Sequence, residues 1–457
     1  MKAAPPPSRK PAPSQQAVAA QSATAIGTRV DRIEIAPARA PAKTEQTGML
    51  QTIGLYALIV SLFASLANDL LLRLIGSSSY LYYVSFPLSM IAFIAGGTMF
   101  RGLRSTAGKL WLFMMIWLMM GLPFSVWRGG SWDVLKEYIP RAHLIFFMVC
   151  AFAVTLKQFR TFFNAQIGIS FAVLLTCVAF GGTPADTGRF CIPGSVFFEN
   201  PNDLSIELLI SIGLFAALLW NRNNLLRAAG LAGIVAALYF LFKASSRGAI
   251  LACLVMIVVV LITSKARLKL AVIVVPTAIV ALALNPYALH RITSIFLNPE
   301  KAEINSEADE ANVASQIERQ YLLRRSIELS FTHPIFGVGA GEFIDATSGQ
   351  DQRGGKHSAA LGTHNTYTQI SSETGLPGFF CFVGVLFLTI RNMWRLHKRT
   401  RDRADGKETS TMAYSLFLTS VGYAAAIFFH HSGYGVTMPL LGGMAAALEQ
   451  AAPQARS

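Results

Sequence analysis

The chain has 457 residues, of which 53% are hydrophobic and only 14% are charged, and its mean hydropathy is positive. This composition excludes an ordinary soluble protein, whose surface would not tolerate so much apolar area, so the chain must contact lipid. The net charge of +14 does not indicate nucleic-acid binding, because that function requires a basic face on a soluble fold.

The N-terminal segment differs in composition from the rest of the chain. Residues 1–48 are rich in Ala and Pro, carry seven Lys or Arg, and contain no apolar stretch that could form the core of a signal peptide. Such a segment cannot bury enough apolar surface to fold. It is predicted to be a disordered, basic, cytoplasmic tail.

Apolar runs of about 18 residues or more recur between residues 49 and 449, and each can cross a hydrocarbon core of roughly 30 Å. They predict an all-α polytopic membrane protein of about twelve transmembrane helices, nine within 49–285 and three within 366–449, with a cytoplasmic tail at 450–457. The predicted spans are 49–75, 80–100, 108–127, 138–156, 161–181, 203–220, 226–243, 248–264, 268–285, 374–390, 411–429 and 436–449.

The distribution of Lys and Arg predicts the orientation of these spans. With the N-terminus in the cytoplasm, the cytoplasmic short loops hold 17 Lys or Arg and the opposite short loops hold seven. The positive-inside rule therefore places both termini in the cytoplasm, with the chain in a bacterial inner membrane.

One long segment separates the ninth and tenth predicted spans. This orientation places residues 286–365 outside the cytoplasm, and a loop of this length is usually functional. Its stretch 312–331 predicts an amphipathic helix. The apolar side chains available to pack on the membrane domain or its surface are Ile317, Tyr321, Leu322, Leu323 and Ile327.

Four local patterns carry the polar residues near these spans. They are FFENPNDL at 197–204, KASSRGAIL at 243–251, ERQYLLRRSIELSFTHPIFGVGAGEF at 318–343 and THNTYTQISSETGLPGFF at 363–380. None is specific alone, since Ser-Arg-Gly and Gly-x-Gly occur often by chance. In this order, with a His-Asn-x-Tyr motif opening a span, they resemble the O-antigen ligase and polymerase family over roughly residues 197–390.

The resemblance implies an integral-membrane glycosyltransferase of O-antigen or exopolysaccharide biosynthesis. The family uses an undecaprenyl-diphosphate-linked glycan as donor, without a nucleotide sugar, a cofactor or a metal. The acceptor is another repeat unit in a polymerase, which we slightly favour, or lipid A core in a ligase. The other expected partners are membrane lipids and polysaccharide assembly proteins.

His364 is the first candidate catalytic residue. It precedes the tenth predicted span, and an imidazole with an ordinary pKa near 6.5 can be neutral there and accept a proton from an acceptor hydroxyl. The alternative is that His364 caps the helix together with Thr363 and Asn365. Asn365, within the same motif, is also a candidate substrate contact.

Arg247 and Arg319 match the two arginine positions of the family. A departing lipid diphosphate gains negative charge, which guanidinium groups bind with bidentate geometry. For Arg247 the alternative is an interfacial side chain that reaches the headgroups. For Arg319 the alternative is a solvated helix face, since Glu318 lies beside it.

Further residues are assigned to substrate binding. Arg189 and Lys243 would add to the positive lining of a donor site. Arg324 and Arg325 are each spaced to pair with Glu328, so they are assigned to structure or to acceptor contact.

Glu373 lies inside a predicted span, where a carboxylate is costly unless it is paired. It is predicted to orient His364 or an arginine, with a structural ion pair as an equal alternative. No metal is expected, because His430 and His431 lack enough neighbouring ligands and the five cysteines show no ligand spacing.

Two other classes of function fit parts of the sequence. A secondary transporter also has about twelve spans, but the two halves show no internal repeat. A membrane scaffold or sensor would use the N-terminal tail and the basic 391–407 segment for docking. That class leaves the arginine and histidine pattern unexplained.

Overall fold

The computed structural model describes residues 48–76, 79–184, 188–264, 307–351 and 362–452. Within these ranges all regular structure is helical, apart from one isolated bridge between Gly182 and Cys191. The chain is a polytopic all-α membrane protein, as predicted.

The α-helices fall into two series along the chain. The first comprises α1 (Met49–Leu66), α2 (Asn68–Ile75), α3 (Ser79–Ala95), α4 (Thr106–Gly121), α5 (Arg128–Tyr138), α6 (Ile145–Phe152) and α7 (Leu156–Phe180). The second comprises α8 (Pro201–Phe215), α9 (Asn224–Ala244), α10 (Arg247–Thr263), α11 (Glu307–Thr332), α12 (Phe343–Asp351), α13 (Thr366–Thr400), α14 (Lys407–Ala426) and α15 (Thr437–Ala451).

Seven described helical segments are long and apolar enough to cross a membrane. They are Met49–Leu66, Thr106–Phe124, Leu156–Phe180, Pro201–Trp220, Asn224–Ala244, Thr366–Thr400 and Lys407–Phe429. The shorter apolar helices Tyr80–Ala95 and Arg247–Thr263 coincide with two more predicted spans. The count of twelve stays a prediction, and the predicted span 268–285 and nearly all of the predicted tail lie outside the described residues.

Two predicted spans have different boundaries in the structure. The span predicted at 49–75 is divided at Ala67 into α1 and α2. The span predicted at 374–390 is the second part of α13, which already begins at Thr366. The first turns of α13 are polar but largely buried against protein, and a hydropathy profile cannot distinguish such a helix from a loop.

The chain breaks the regular path of α13 at Gly375, which has a φ of 73°. A Cβ atom there would collide with the carbonyl oxygen of Ile335, so the close approach of the preceding loop requires glycine. Pro377 follows within the same helix and has no N–H to donate.

The carbonyl groups freed by this break find partners from other segments. The Val338 N–H donates to Ser372 O at 2.8 Å, and the Gly339 N–H donates to Glu373 O at 3.0 Å. The indole N–H of Trp117 donates to Thr374 O at 3.0 Å. The Gly337–Gly341 segment is therefore a turn that completes a broken helix.

The predicted helix at 312–331 is observed as part of α11, but its packing differs from the prediction. Leu322 is buried as expected, in a small cluster with Leu329, Val338 and Phe343. Exposed side chains on the same helix are Ile317, Tyr321 and Ile327. The helix is held to α13 through polar groups as well, with the hydroxyls of Ser330 and Ser371 2.7 Å apart.

At one end of the bundle, basic residues gather where α13 ends and where α7 and α14 begin. We call this the basic end, comprising Arg160 and residues 391–408. Arg160 lies 3.2 Å from Glu408, and Arg401 lies 3.1 Å from Asp402, both as exposed ion pairs. All five cysteines are buried and free, as expected of packing residues.

Candidate active site

His364 lies immediately before α13, at the end of that helix farthest from the basic end. The N-cap is Asn365, whose side chain accepts hydrogen bonds from the N–H groups of Tyr367 and Thr368 at 2.9 and 3.2 Å. His364 therefore does not cap the helix, which removes the alternative considered from the sequence. It is one of two described residues other than glycine with a positive φ, at 51°. Such a conformation is costly and is often kept at functional sites.

Three histidine rings and one carboxylate form a chain of contacts beside His364. The ring centroid of His364 is 5.3 Å from that of His431, which in turn lies 5.1 Å from that of His430. His430 Nε2 is 2.8 Å from a carboxylate oxygen of Asp203, at the start of α8. We call these four residues the histidine cluster.

The histidine cluster is fixed to the first turn of α13 by the backbone after α14. The hydroxyl of Thr366 donates to His430 O at 2.7 Å and accepts from the Ser432 N–H at 3.0 Å. The side-chain oxygen of Gln369 accepts from the Gly433 N–H at 3.1 Å. The positions of His430 and His431 relative to His364 are thus set by several directional bonds.

Arg319 and His364 interact electrostatically. Burial, the positive charge of Arg319 and the two neighbouring histidines together lower the pKa of His364 to about 4, with burial as the largest cause. Burial also lowers the pKa of His431. The imidazole of His364 is therefore neutral at ordinary pH and can accept a proton.

Arg247 is the first residue of α10, and its two neighbours both contact segments that carry the histidine cluster. The hydroxyl of Ser246 donates to Asn202 Oδ1 at 3.0 Å. Gly248 packs so closely on Phe429 that any side chain there would collide with it. Since Asn202 precedes Asp203 and Phe429 precedes His430, these contacts bring the start of α10 to the histidine cluster.

The N-termini of α8, α10 and α13 therefore converge at one place. Each helix directs the positive end of its dipole there, which favours an anion. Asn200 and Asn365 cap α8 and α13, whereas the N-cap of α10, Ser246, makes no side-chain cap hydrogen bond. Arg247 and Arg319 add full positive charges at the same end. The arrangement suits a diphosphate better than a neutral ligand.

Arg189 and Lys243 were proposed from the sequence to line a donor site. Arg189 directly contacts the helix ends that meet there. Its guanidinium donates to Asn202 Oδ1 at 2.8 Å and to Ala244 O at 3.0 Å. Lys243 is exposed, and its ammonium lies over the rings of Phe190 and Tyr239 at 5.9 and 5.4 Å. Lys243 thus stands at the rim of the site.

Arg324 and Arg325 occupy different environments on α11. Arg325 is buried and lies 2.8 Å from Glu328, so the ion pair expected from their spacing is confirmed. Arg324 is exposed. Its assignment to acceptor contact stays a prediction.

Glu373 is buried, but its partner is not the one expected from sequence. Its carboxylate accepts a hydrogen bond from the Gly341 N–H at 3.0 Å, at the turn that completes α13. The tyrosine facing it, Tyr434, has a pKa well above its usual value because of burial and the nearby carboxylate. Glu373 thus holds the turn, and among the described residues no ion pair to an arginine is seen.

The sequence interpretation missed the roles of Asp203, His430 and His431. In the sequence Asp203 was only one member of the pattern at 197–204. The start of α8 is capped by Asn200, which accepts from the Asn202 N–H at 2.9 Å. The histidine pair was tested only as a metal site. A signal was present, because two adjacent histidines at the end of an apolar run are costly without partners.

Among the described residues, no group of three or more His, Cys, Asp or Glu is arranged to hold a metal ion. In the histidine cluster the rings of His430 and His431 are stacked, with an interplanar angle of 25°, whereas His364 meets His431 edge-on at 74°. The carboxylate in contact with the cluster is that of Asp203, which is paired with His430.

Comparison with known proteins identifies a matching region that contains all three candidate catalytic residues. Residues 232–383 match the family model described as O-antigen ligase, a stretch that includes Arg247, Arg319 and His364. The chain is also similar to the teichuronic acid biosynthesis protein TuaE of Bacillus subtilis strain 168. The two are 24% identical over 350 residues, which cover 70% of this chain and 68% of TuaE.

Proposed function

We propose that the chain belongs to the O-antigen ligase family, whose model matches residues 232–383, and that it transfers an undecaprenyl-diphosphate-linked glycan to an acceptor sugar hydroxyl. The observation that carries this proposal is the convergence of a neutral histidine, two arginines and three helix N-termini. That combination pairs a proton acceptor with an anion site, as transfer from a lipid diphosphate requires.

The reaction needs one bond to form and one to break. The acceptor hydroxyl oxygen attacks the anomeric carbon of the donor while His364 takes the hydroxyl proton. The bond between the anomeric carbon and the phosphate oxygen breaks, and its electron pair stays on the lipid diphosphate. Arg247, Arg319 and the helix N-termini stabilise the charge that develops on the leaving group.

Donor binding would also tune the base. In the free protein Arg319 and the neighbouring histidines lower the pKa of His364. A bound diphosphate places negative charge beside the same groups, which offsets their effect and raises the pKa of His364. The histidine would become a stronger base when the donor is present.

The site is proposed to face the periplasm of the inner membrane, with both termini in the cytoplasm. Support comes from the excess of Lys and Arg in the loops assigned to the cytoplasm, 17 against seven. Residues 391–408 and Arg160 gather at the end of the bundle opposite His364. A Cys introduced at Ser348 in a Cys-free variant should react with an impermeant reagent in intact spheroplasts. Reaction only after permeabilisation would contradict this orientation.

Polymerisation is the slightly favoured form of the reaction, with ligation to lipid A core as its alternative. Both use the same donor and differ in the acceptor. Deletion of the gene distinguishes them, because a missing polymerase leaves single lipid-linked repeats and a missing ligase leaves long lipid-linked chains. A deletion strain with normal surface glycan and no lipid-linked intermediates would contradict both.

Transfer is proposed to need no metal ion, since fixed cations can neutralise the diphosphate. Purified protein in proteoliposomes should therefore keep its transfer rate in EDTA. A loss of transfer that Mg²⁺ or Mn²⁺ restores would count against this mechanism.

A further inference from the structure

A cavity of about 580 Å³ lies between α1, α3 and α5 and is lined in part by the segment that follows the histidine cluster. This volume is typical of a small-molecule or oligosaccharide site. Nothing in the mechanism above uses it. Its walls combine aromatic rings with a few polar groups.

An aromatic strip forms one wall. The rings of Tyr82 and Phe86, one turn apart on α3, are nearly parallel, with centroids 5.3 Å apart and an interplanar angle of 9°. Tyr83 stands at the edge of this pair and is 65% exposed. A flat aromatic face of this kind contacts the C–H face of a pyranose ring well.

Polar side chains also line the cavity. Glu137 Oε2 and Arg141 Nη1 are 3.5 Å apart, and both side chains remain more than half exposed. Asn68 and Ser65 add amide and hydroxyl groups. Such groups match the hydroxyls of a sugar, which need both donors and acceptors.

Two segments connect the cavity to the histidine cluster. Phe197 lines the cavity and lies shortly before Asp203, while Tyr434 lines it and lies shortly after His431. Asp203 is bonded to His430, so both segments meet at the reaction centre. The cavity and the cluster are therefore joined by two short stretches of chain, 197–203 and 431–434.

We propose that this cavity binds the saccharide of the acceptor, with Tyr82 and Phe86 as its stacking platform and the Glu137–Arg141 pair as its polar edge. The assignment rests on the proposed transfer reaction and adds the location of its second substrate. The donor diphosphate has its own proposed site, because Arg247 and the converging helix N-termini do not line this cavity. A neutral sugar suits the cavity better than a diphosphate, since Glu137 offsets the charge of Arg141.

The test measures acceptor and donor kinetics separately in proteoliposomes. A lipid-linked single repeat and lipid A core from the native host are each offered as acceptor, and the one used by the wild type is titrated. The variants are Tyr82→Ala and Arg141→Gln. Their matched controls are Tyr80→Ala, an exposed aromatic residue on the same helix that does not line the cavity, and Lys136→Gln, whose ion pair with Asp133 also lies outside it.

Both cavity variants should raise the KM for acceptor roughly three- to tenfold, with the KM for donor unchanged and both controls at wild-type values. Arg141→Gln should fold normally, since the Arg141 side chain is largely exposed, so its kinetics test the proposal even if Tyr82→Ala is unstable. A rise in donor KM instead would assign the cavity to the donor and overturn the proposal. Unchanged KM values for both substrates would mean that bilayer lipid or water fills the cavity, and would overturn it too. Absence of any transfer by the wild type would instead refute the proposed function, and the two failures are thus distinguishable.

Discussion

The two ends of the helix bundle carry the same kinds of charged side chain in contrasting surroundings. At the basic end, Arg401 and Arg403 are solvated and pair with exposed Asp402 and Asp405 at 3.1 and 3.4 Å. At the histidine cluster, Asp203 pairs with His430, whose side chain is only 6% exposed. Helix α13 runs from one end to the other.

The difference separates two uses of positive charge. Exposed ion pairs contribute little energy, so we expect the residues of the basic end to serve the orientation of the chain in the membrane rather than the transfer reaction. Partly buried cations beside converging helix N-termini interact strongly with an anion, because water screens them less. Equivalent substitutions at the two ends should therefore have very different effects on transfer.

The largest difference in transfer activity is expected between substitutions at two histidines, one at each end of the bundle. His364→Ala should lower the turnover number by about 10²- to 10⁴-fold, because it removes the general base. Donor binding should be nearly unchanged. His397, which lies 2.9 Å from the Ser410 hydroxyl at the basic end, provides the control, and His397→Ala should keep most of the activity.

The measurement is transfer by purified protein in proteoliposomes, with detergent stability recorded for each variant. If well-folded His364→Ala protein built glycan at the wild-type rate, His364 could not be the base. His431 would then be the next candidate, because its ring is the nearest described neighbour in the cluster.

A smaller difference, in donor affinity, is expected between Arg→Lys substitutions at the two ends of the bundle. Lys at Arg247 or Arg319 keeps the charge but loses the bidentate fork, so each variant should bind donor at least about tenfold more weakly. Arg401→Lys at the basic end should leave donor binding unchanged. Titration of the lipid-linked donor against each variant measures this, and equal affinities for all three variants would contradict a phosphate role.

The sequence predicts those parts of the fold that depend only on the length and apolarity of a local segment. Leu156–Phe180 meets the requirements of a span in length and apolarity, and the motif carrying His364 is recognisable without a structure. The first turns of α13 were missed as helix because their polar side chains are buried by neighbouring protein rather than lipid. The break at Gly375 is stabilised by a loop more than thirty residues earlier in the chain, which no local pattern reveals.

The candidate site, like the fold, depends on long-range contacts that local sequence patterns do not reveal. Arg247, Arg319 and His364 were found from motifs, and their catalytic assignments stay predictions. The pairing of Asp203 with His430 joins helix ends that are distant in the sequence, so it could not be inferred without their packing. Glu373 was misjudged for a related reason, since a backbone N–H rather than a charged side chain is its observed partner.

The pH dependence of transfer should show how the charges around His364 set its pKa. The pKa of His364 is lowered to about 4 in the free protein, and only the neutral form can act as base. Activity is therefore retained above that pKa and lost as the pH falls through it. Donor binding should raise this pKa by roughly one unit or more, because the diphosphate is negative. The acidic limb of kcat should thus lie at higher pH than that of kcat/KM for the donor, and coincident limbs would contradict the effect.

The smallest effect is expected at the carboxylate of the histidine cluster. Asp203→Asn preserves an oxygen that can accept from His430 but removes the negative charge, so the ring should keep its position while the cluster loses its anion. Because the Asp203 side chain is 40% exposed, the loss should be modest, about two- to fivefold in turnover. Asp203→Ala removes the hydrogen bond as well and should cost more than Asp203→Asn. The control is Asp402→Asn, which breaks an exposed pair at the basic end and should have no effect. If Asp203 positions the cluster, turnover should fall in the order Asp, Asn, Ala at position 203, and the acidic limb of the pH profile should shift. A purely structural role would not move that limb. Equal turnover for all three residues at position 203 would show that the cluster does not need its carboxylate.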